Sequence, residues 1–365
     1  MTMIYEVPDE LALQEWFAST FIVSSASNAE ELYSSATPIK QATLYYIPKS
    51  GELLLLAPHH MLDGKGMLLL CHNYLNALTT PSQNITLKFG DEYTRLAPAI
   101  EEVLGFPKQP TSEQAEKALS IAMSYASSLP GIGPVSKVGQ VPPGRCQSTE
   151  LVFSTQTTEM IIKACKNNSI TVTSAIHAAY IQAIVKYADP NSHRSRYANS
   201  ATFDLRPHLP EPYSTSQYAA SVYFTPYPLI IDLLPFWESA HTLNKYYQTT
   251  IKDDPEFLEL NGHIMRVMLN AIQTPEFQAI PISGDAIVSR MGVAERYVQR
   301  AYGNMTVRDI RMGVDVLLGP SVLFVYTFQD QLRLAYSFND GYEDPTKIDS
   351  YLKEIERVLV EELLG

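Results

Sequence analysis

The sequence predicts an α/β protein of two domains, and three observations carry that expectation. The chain has 365 residues, more than a single hydrophobic core ordinarily fills. Strand-like and helix-like patterns are mixed along its length, as in domains that layer helices on sheets. Residues 127–146, S-S-L-P-G-I-G-P-V-S-K-V-G-Q-V-P-P-G-R-C, hold too much proline and glycine for a helix and read as a linker. The expected division is a domain over 1–128, a crossover linker over 129–147 and a second domain over 148–365.

Composition narrows the class. Hydrophobic residues make up 45% and charged residues 18%, which describes a folded globular chain rather than a disordered or fibrous one. A net charge of −12 argues against a nucleic-acid backbone or an anionic membrane as the main partner. Cys71, Cys146 and Cys165 are odd in number and lack C-x-x-C spacing, so reduced thiols fit better than a disulfide framework or a zinc site. The amino terminus has no basic-then-apolar signal pattern. No apolar run reaches the roughly 20 residues of a membrane helix, and a cytoplasmic location is expected.

In chain order, Pro8-Asp9 supplies a turn and a helix N-cap, and Leu11, Leu13, Trp16 and Phe17 form an apolar stripe behind it. Residues 21–23 are strand-like. Thr43–Ile47 and Glu52–Leu56 flank Pro48-Lys49-Ser50-Gly51, which reads as a hairpin. A helix over 66–78 is expected to turn Met67, Leu70, Cys71, Tyr74 and Leu78 to one side. Another follows over 112–127. A strand over 151–153 and a helix near 159–166 open the second half. The next helix, 174–187, carries Ala175, Ala178, Ala179 and Ala183, small residues suited to close packing, and His177 on it reads as a satisfied core histidine. Residues 218–231 are rich in aromatics, which fit core strands or an apolar pocket. Residues 321–328 and 332–338 form a hairpin around Gln329-Asp330-Gln331, and a helix over 345–364 closes the chain.

The informative stretch is 57–70, A-P-H-H-M-L-D-G-K-G-M-L-L-L, directly after the second hairpin strand. An imidazole has an unperturbed pKa of about 6.5, so much of it is neutral at pH 7 and can accept a proton. Asp63, four positions after His59, has two available roles. It can orient the imidazole by a hydrogen bond, as in a triad, or turn away and hold its loop through an arginine. Gly64 and Gly66 let a tight turn run into a helix without Cβ clashes. The spacing alone is common by chance; a strand, then H-H-x-x-D-G, then an apolar helix is much rarer.

This motif, His59 through Gly64, resembles that of the CoA-dependent acyltransferase superfamily. That superfamily holds the plant BAHD acyltransferases, the condensation domains of peptide synthetases and the fungal trichothecene O-acetyltransferases. The flanking text, L-Y-Y-I-P-K-S-G-E-L-L-L-L before and G-K-G-M-L-L-L after, looks most like the fungal branch. The resemblance implies a two-domain, chloramphenicol acetyltransferase-like sandwich with its active site at the domain interface. It also implies an amino-terminal domain that is either truncated or a compact variant, since only 58 residues precede His59. Asp309 and Gly313 stand where plant members carry D-F-G-W-G, with only those outer two residues matching.

The function implied is acyl transfer, an acetyl group passing from acyl-CoA to a hydroxyl of a fungal secondary metabolite. His59 is the expected general base. Asp63, Gly64 and Arg206, the last in the segment Asp204-Leu205-Arg206, are the expected supports of the site. Asp63 and Arg206 are expected to form a bidentate salt bridge across the interface. His60, Tyr223 and His208 are secondary candidates for substrate contact, with His60 expected to face the core or the neighbouring strand. Acyl-CoA enters as a co-substrate. No tightly bound cofactor and no metal are implied. The partners are a small-molecule acceptor and acyl-CoA, with no nucleic acid or membrane, and the oligomeric state is open. The rival readings are a CoA-independent cyclisation or isomerisation in the same cleft, a non-catalytic binding protein, and a truncated chain that associates through exposed apolar surface.

Overall fold

The computed structural model describes residues 6–34, 39–80, 89–251, 256–282, 284–317 and 319–365. Two compact units result. The first gathers Met1–Leu104, Asp204–Phe224 and Ala294–Asp309; the second gathers Gly105–Phe203, Thr225–Val293 and Ile310–Gly365. The units are interleaved along the chain, in contrast to the expected linear division at 129–147. Residues 129–145 are free of helix and strand, but they lie inside the second unit and are largely built into it. Ile132 N–H donates to the Arg196 carbonyl at 2.8 Å, and a Cβ on Gly131 would press into the backbone of Ala198. Gly131, one of the glycines that suggested a linker, is there for close backbone approach.

In the first unit, helix α1 (Glu10–Thr20) starts at Asp9, whose carboxylate accepts from the Ala12 N–H at 2.8 Å. Its apolar stripe is not a core face, because Leu11, Trp16 and Phe17 are all more than half exposed. Strand β1 (Phe21–Val23), the short helix α2 (Ala29–Ser34) and strands β2 (Thr43–Ile47) and β3 (Glu52–Leu56) follow. The sheet order is β1-β2-β3, with β1 parallel to β2 and β2–β3 an antiparallel hairpin. Gly51 turns that hairpin at φ +71°, in the region L-residues avoid. Helix α3 (Gly64–Thr79) comes next. It buries Gly66, Leu68 and Leu69 rather than the predicted stripe, and Leu78 is exposed. The rotation of α3 follows from its contacts with the Asp204–Phe224 segment, to which Asn73 also donates through the Ser216 carbonyl at 2.8 Å.

The second unit is built on a four-stranded mixed sheet. Its order is Cys146–Val152, Gln331–Asn339, Ser321–Phe328, Ala286–Val293. Ser321–Phe328 runs antiparallel to Gln331–Asn339 and parallel to Ala286–Val293. The hairpin turn is Gln329 (φ 51°) and Asp330 (φ 62°), both left-handed, as a two-residue turn between twisted strands requires. The helix Val172–Lys186 is buried on nearly every side, and Ala175, Ala178, Ala179 and Ala183 are fully enclosed. This lets the helices Phe236–Thr249 and Pro345–Leu364 pack closely on it. No helix among the described residues is long and apolar enough to cross a membrane.

His177 sits inside that helix and is 1% exposed. The Tyr247 hydroxyl meets its Nδ1 at 2.6 Å and the Tyr197 hydroxyl meets its Nε2 at 3.1 Å. Burial, with the Arg290 cation nearby, pushes its pKa from 6.5 down to about 3. The folded ring therefore refuses a proton that the unfolded chain accepts below pH 6.5. The stabilisation is complete above that pH and is lost as pH falls towards about 3. Unfolding free energies measured across this window should fall with acid by at most ~1.4 kcal/mol per pH unit from this group. His177→Phe should flatten that slope, whatever it does to overall stability.

Candidate active site

Asp63 closes the loop after β3 and caps α3. Its backbone is extended (φ −88°, ψ 173°), and its Oδ1 accepts from the Gly66 N–H at 2.7 Å. The carboxylate is 3% exposed, so every lone pair left unmatched would be costly. None is neglected. Arg206 Nη1 donates to Oδ1 at 2.9 Å and to Oδ2 at 2.8 Å, and the Tyr223 N–H donates to Oδ2 at 2.7 Å. Of the two roles open to Asp63 from sequence, the structure adopts the arginine one.

Arg206 is also buried, at 4% exposure. One nitrogen spans both carboxylate oxygens, while Nη2 donates to the Ser221 hydroxyl at 3.0 Å, so the pair is bidentate on the aspartate but not a fork-to-fork match. The Ser221 hydroxyl in turn donates a hydrogen bond to the Tyr218 carbonyl at 2.7 Å. Lys65 Nζ holds Asp204 Oδ2 at 2.8 Å, and Asp204 Oδ1 lies 3.5 Å from Arg206 Nη1. Lys65, Asp204, Arg206 and Asp63 thus alternate in sign and leave no net charge in the cluster. Sequence placed Arg206 in a domain separate from Asp63; here both belong to the first unit.

Close approach defines the glycine requirement. A Cβ on Gly66 would fall inside the Ala219 carbonyl oxygen and crowd Arg206 Nη2 at 3.3 Å. Of the two glycines expected to serve this turn, Gly66 is the one whose missing Cβ makes room for the Ala219 carbonyl.

His59 stands in the turn between β3 and Asp63 and is exposed. Its Nδ1 lies 3.0 Å from the Leu62 carbonyl oxygen. A carbonyl can only accept, so Nδ1 carries a proton, and in the neutral ring the lone pair falls on Nε2. The imidazole also stacks on Phe224, with ring centroids 5.8 Å apart and planes inclined by 20°.

The remaining sequence candidates fall elsewhere. His60 is exposed in the same turn, contrary to the expectation that it faces core or strand. His208 is exposed at the end of the short 3₁₀ turn Arg206–His208. The Tyr223 ring is 2% exposed and its hydroxyl donates to the Pro98 carbonyl at 3.1 Å, so its contribution is the main-chain N–H on Asp63 and not a substrate contact. Ser221, the Leu62 carbonyl and the Tyr223 N–H have no sequence signal, because hydrogen-bonding main chain looks the same at every residue. A cleft of about 270 Å³, lined in part by Asp204, Arg206, Ser214, Ser216, Arg296 and Tyr297, does not include His59.

No family model matches the sequence. The O-acetyltransferase pigM of Monascus ruber is 27% identical over 364 residues, covering 99% of this chain and 71% of the relative. Among solved structures, the TRI3 trichothecene 15-O-acetyltransferase from Fusarium sporotrichioides superposes with a TM-score of 0.79 at 16% identity, covering 99% of this chain and 80% of that one. The first condensation domain of the CDA synthetase superposes at 0.55 with 18% identity, over 88% of this chain and 66% of that one. The fold is that of the two-domain CoA-dependent acyltransferases and condensation domains.

Removing one partner of the buried pair strands the other. Asp63→Ala should cost about 3–5 kcal/mol in urea unfolding, and Ser221→Ala, which strands only one guanidinium nitrogen, about 1–3 kcal/mol. Gly66→Ala should cost about 1–3 kcal/mol through overpacking, while Gly64→Ala should cost less.

Proposed function

We propose that this acyltransferase moves an acyl group from acyl-CoA to a hydroxyl of a small molecule, with His59 as general base. The observation that carries the reading is the His59 tautomer: Nδ1 is committed to the Leu62 carbonyl, which leaves the Nε2 lone pair on an exposed ring. Similarity to pigM, named an O-acetyltransferase, supports acetyl as the acyl group and oxygen as the acceptor atom.

The chemistry follows from that lone pair. Nε2 takes the acceptor's hydroxyl proton as its oxygen attacks the thioester carbonyl, and the imidazolium formed keeps its Nδ1–H on Leu62. The tetrahedral intermediate collapses with cleavage of the C–S bond. CoA leaves as a thiolate and takes the proton back from Nε2, so the base is restored and no acyl-enzyme is formed. Asp63 never touches the imidazole in this scheme. It holds the start of α3, and hence the His59 turn, against Arg206 and Tyr223.

The test is acceptor-dependent release of free thiol from acetyl-CoA, run with a panel of hydroxylated small molecules. Removing a positioned base should lower kcat by about 10²–10⁴-fold in His59→Ala, with little change in folding temperature. Thiol release that ignores His59, or no release together with no CoA binding by calorimetry, would overturn the reading.

A further inference from the structure

The imidazole of an exposed histidine can rotate, and one hydrogen bond to Leu62 does not by itself keep the ring in the plane that makes that bond. The second restraint is the face of Phe224, half-buried and nearly parallel to the imidazole at 5.8 Å. Phe224 is itself held. It directly follows Tyr223, whose N–H is fixed on Asp63 Oδ2 at 2.7 Å and whose carbonyl accepts from the Leu205 N–H at 2.9 Å. The residue before the ring is thus pinned on both sides to the buried charge cluster.

We propose that Phe224 is the positioning residue of His59: its ring, anchored through the Tyr223 main chain to Asp63, sets the plane of the imidazole and aims Nε2. This rests on the reading of His59 as base, and deepens it by assigning the ring what neither Asp63 nor Leu62 supplies. Leu62 selects which nitrogen is free while the ring lies in its plane, Phe224 keeps the ring in that plane and so both preserves the tautomer and aims Nε2, and Asp63 holds both from behind. A flat, polarisable ring does this without a hydrogen bond, so it leaves Nε2 unencumbered for the acceptor.

The experiment compares Phe224→Leu with Phe224→Tyr in two assays. The first needs no substrate: nitrogen-15 spectra of histidine-labelled protein, with the His59 signals assigned by their loss in His59→Gln. The native protein and Phe224→Tyr should show one protonated and one unprotonated ring nitrogen, while Phe224→Leu should shift both signals towards the average of the two tautomers. The second is steady-state acetyl transfer, in which Phe224→Leu should lower kcat roughly 10- to 100-fold, as misaimed groups do, with KM for either substrate changed less than about twofold. Phe224→Tyr should restore kcat.

Native-like nitrogen signals in Phe224→Leu would overturn the proposal. So would a rise in KM with kcat intact, which would make Phe224 a substrate contact instead. If Phe224→Leu does not fold, Phe224→Met serves in its place. Tautomer averaging in a protein that releases no thiol from acetyl-CoA would sustain the positioning role and defeat acyl transfer, so the two readings fail separately.

Discussion

A buried carboxylate that accepts four hydrogen bonds from three donor groups governs this structure. Asp63 starts α3, fixes the guanidinium of Arg206 and anchors the main chain at Tyr223, three segments far apart in sequence. A buried ion pair of this kind adds little net stability over a well-packed apolar alternative, since desolvation offsets most of the attraction. It is specific, however. Each donor meets the carboxylate in one arrangement only, and any other packing of these segments leaves a buried charge exposed to no partner. Lys65 and Asp204 extend the logic outward by neutralising the second side of Arg206.

Much of the fold was visible in the sequence because local chemistry dictated it. Asp9 and Gly51 announced a helix start and a hairpin, and the structure places both there. The closing hairpin and the helix Pro345–Leu364 were equally legible from alternation and period. His177 read correctly as a satisfied interior histidine. What failed were inferences from composition alone. Prolines and glycines at 129–147 suggested a crossover linker between domains, whereas the segment lies within the second unit and Gly131 is small so that Ala198 can lie against it. The apolar stripe of α1 met the period of a buried face yet is open to solvent.

The site divided in the same way. His59, Asp63 and Arg206 could be named because ionisable side chains at a strand end, followed by glycine, form a rare pattern, and because a resemblance pointed to the arginine. The groups that complete the arrangement could not be named. The Leu62 carbonyl and the Tyr223 N–H are main-chain atoms, and Ser221 is a hydroxyl among many. The aromatic stretch 218–231 did draw attention, but the candidate drawn from it was Tyr223 and not its neighbour Phe224. Tyr223 is buried and its ring serves the core, while Phe224 meets the imidazole.

If His59 is the base proposed above, its exposure has a chemical cost of its own. A lone pair that faces solvent has water as its first available nucleophile, and water attacking a thioester yields free acid instead of ester. Phe224 meets the imidazole with a flat apolar ring, which carries no charge to distinguish an alcohol from water. Discrimination between transfer and hydrolysis then falls to timing. An acceptor that reaches Nε2 before the thioester displaces the competing water, and a thioester that arrives first is wasted. On that reading, the ratio of ester to acid is set by the order in which the two substrates reach the imidazole.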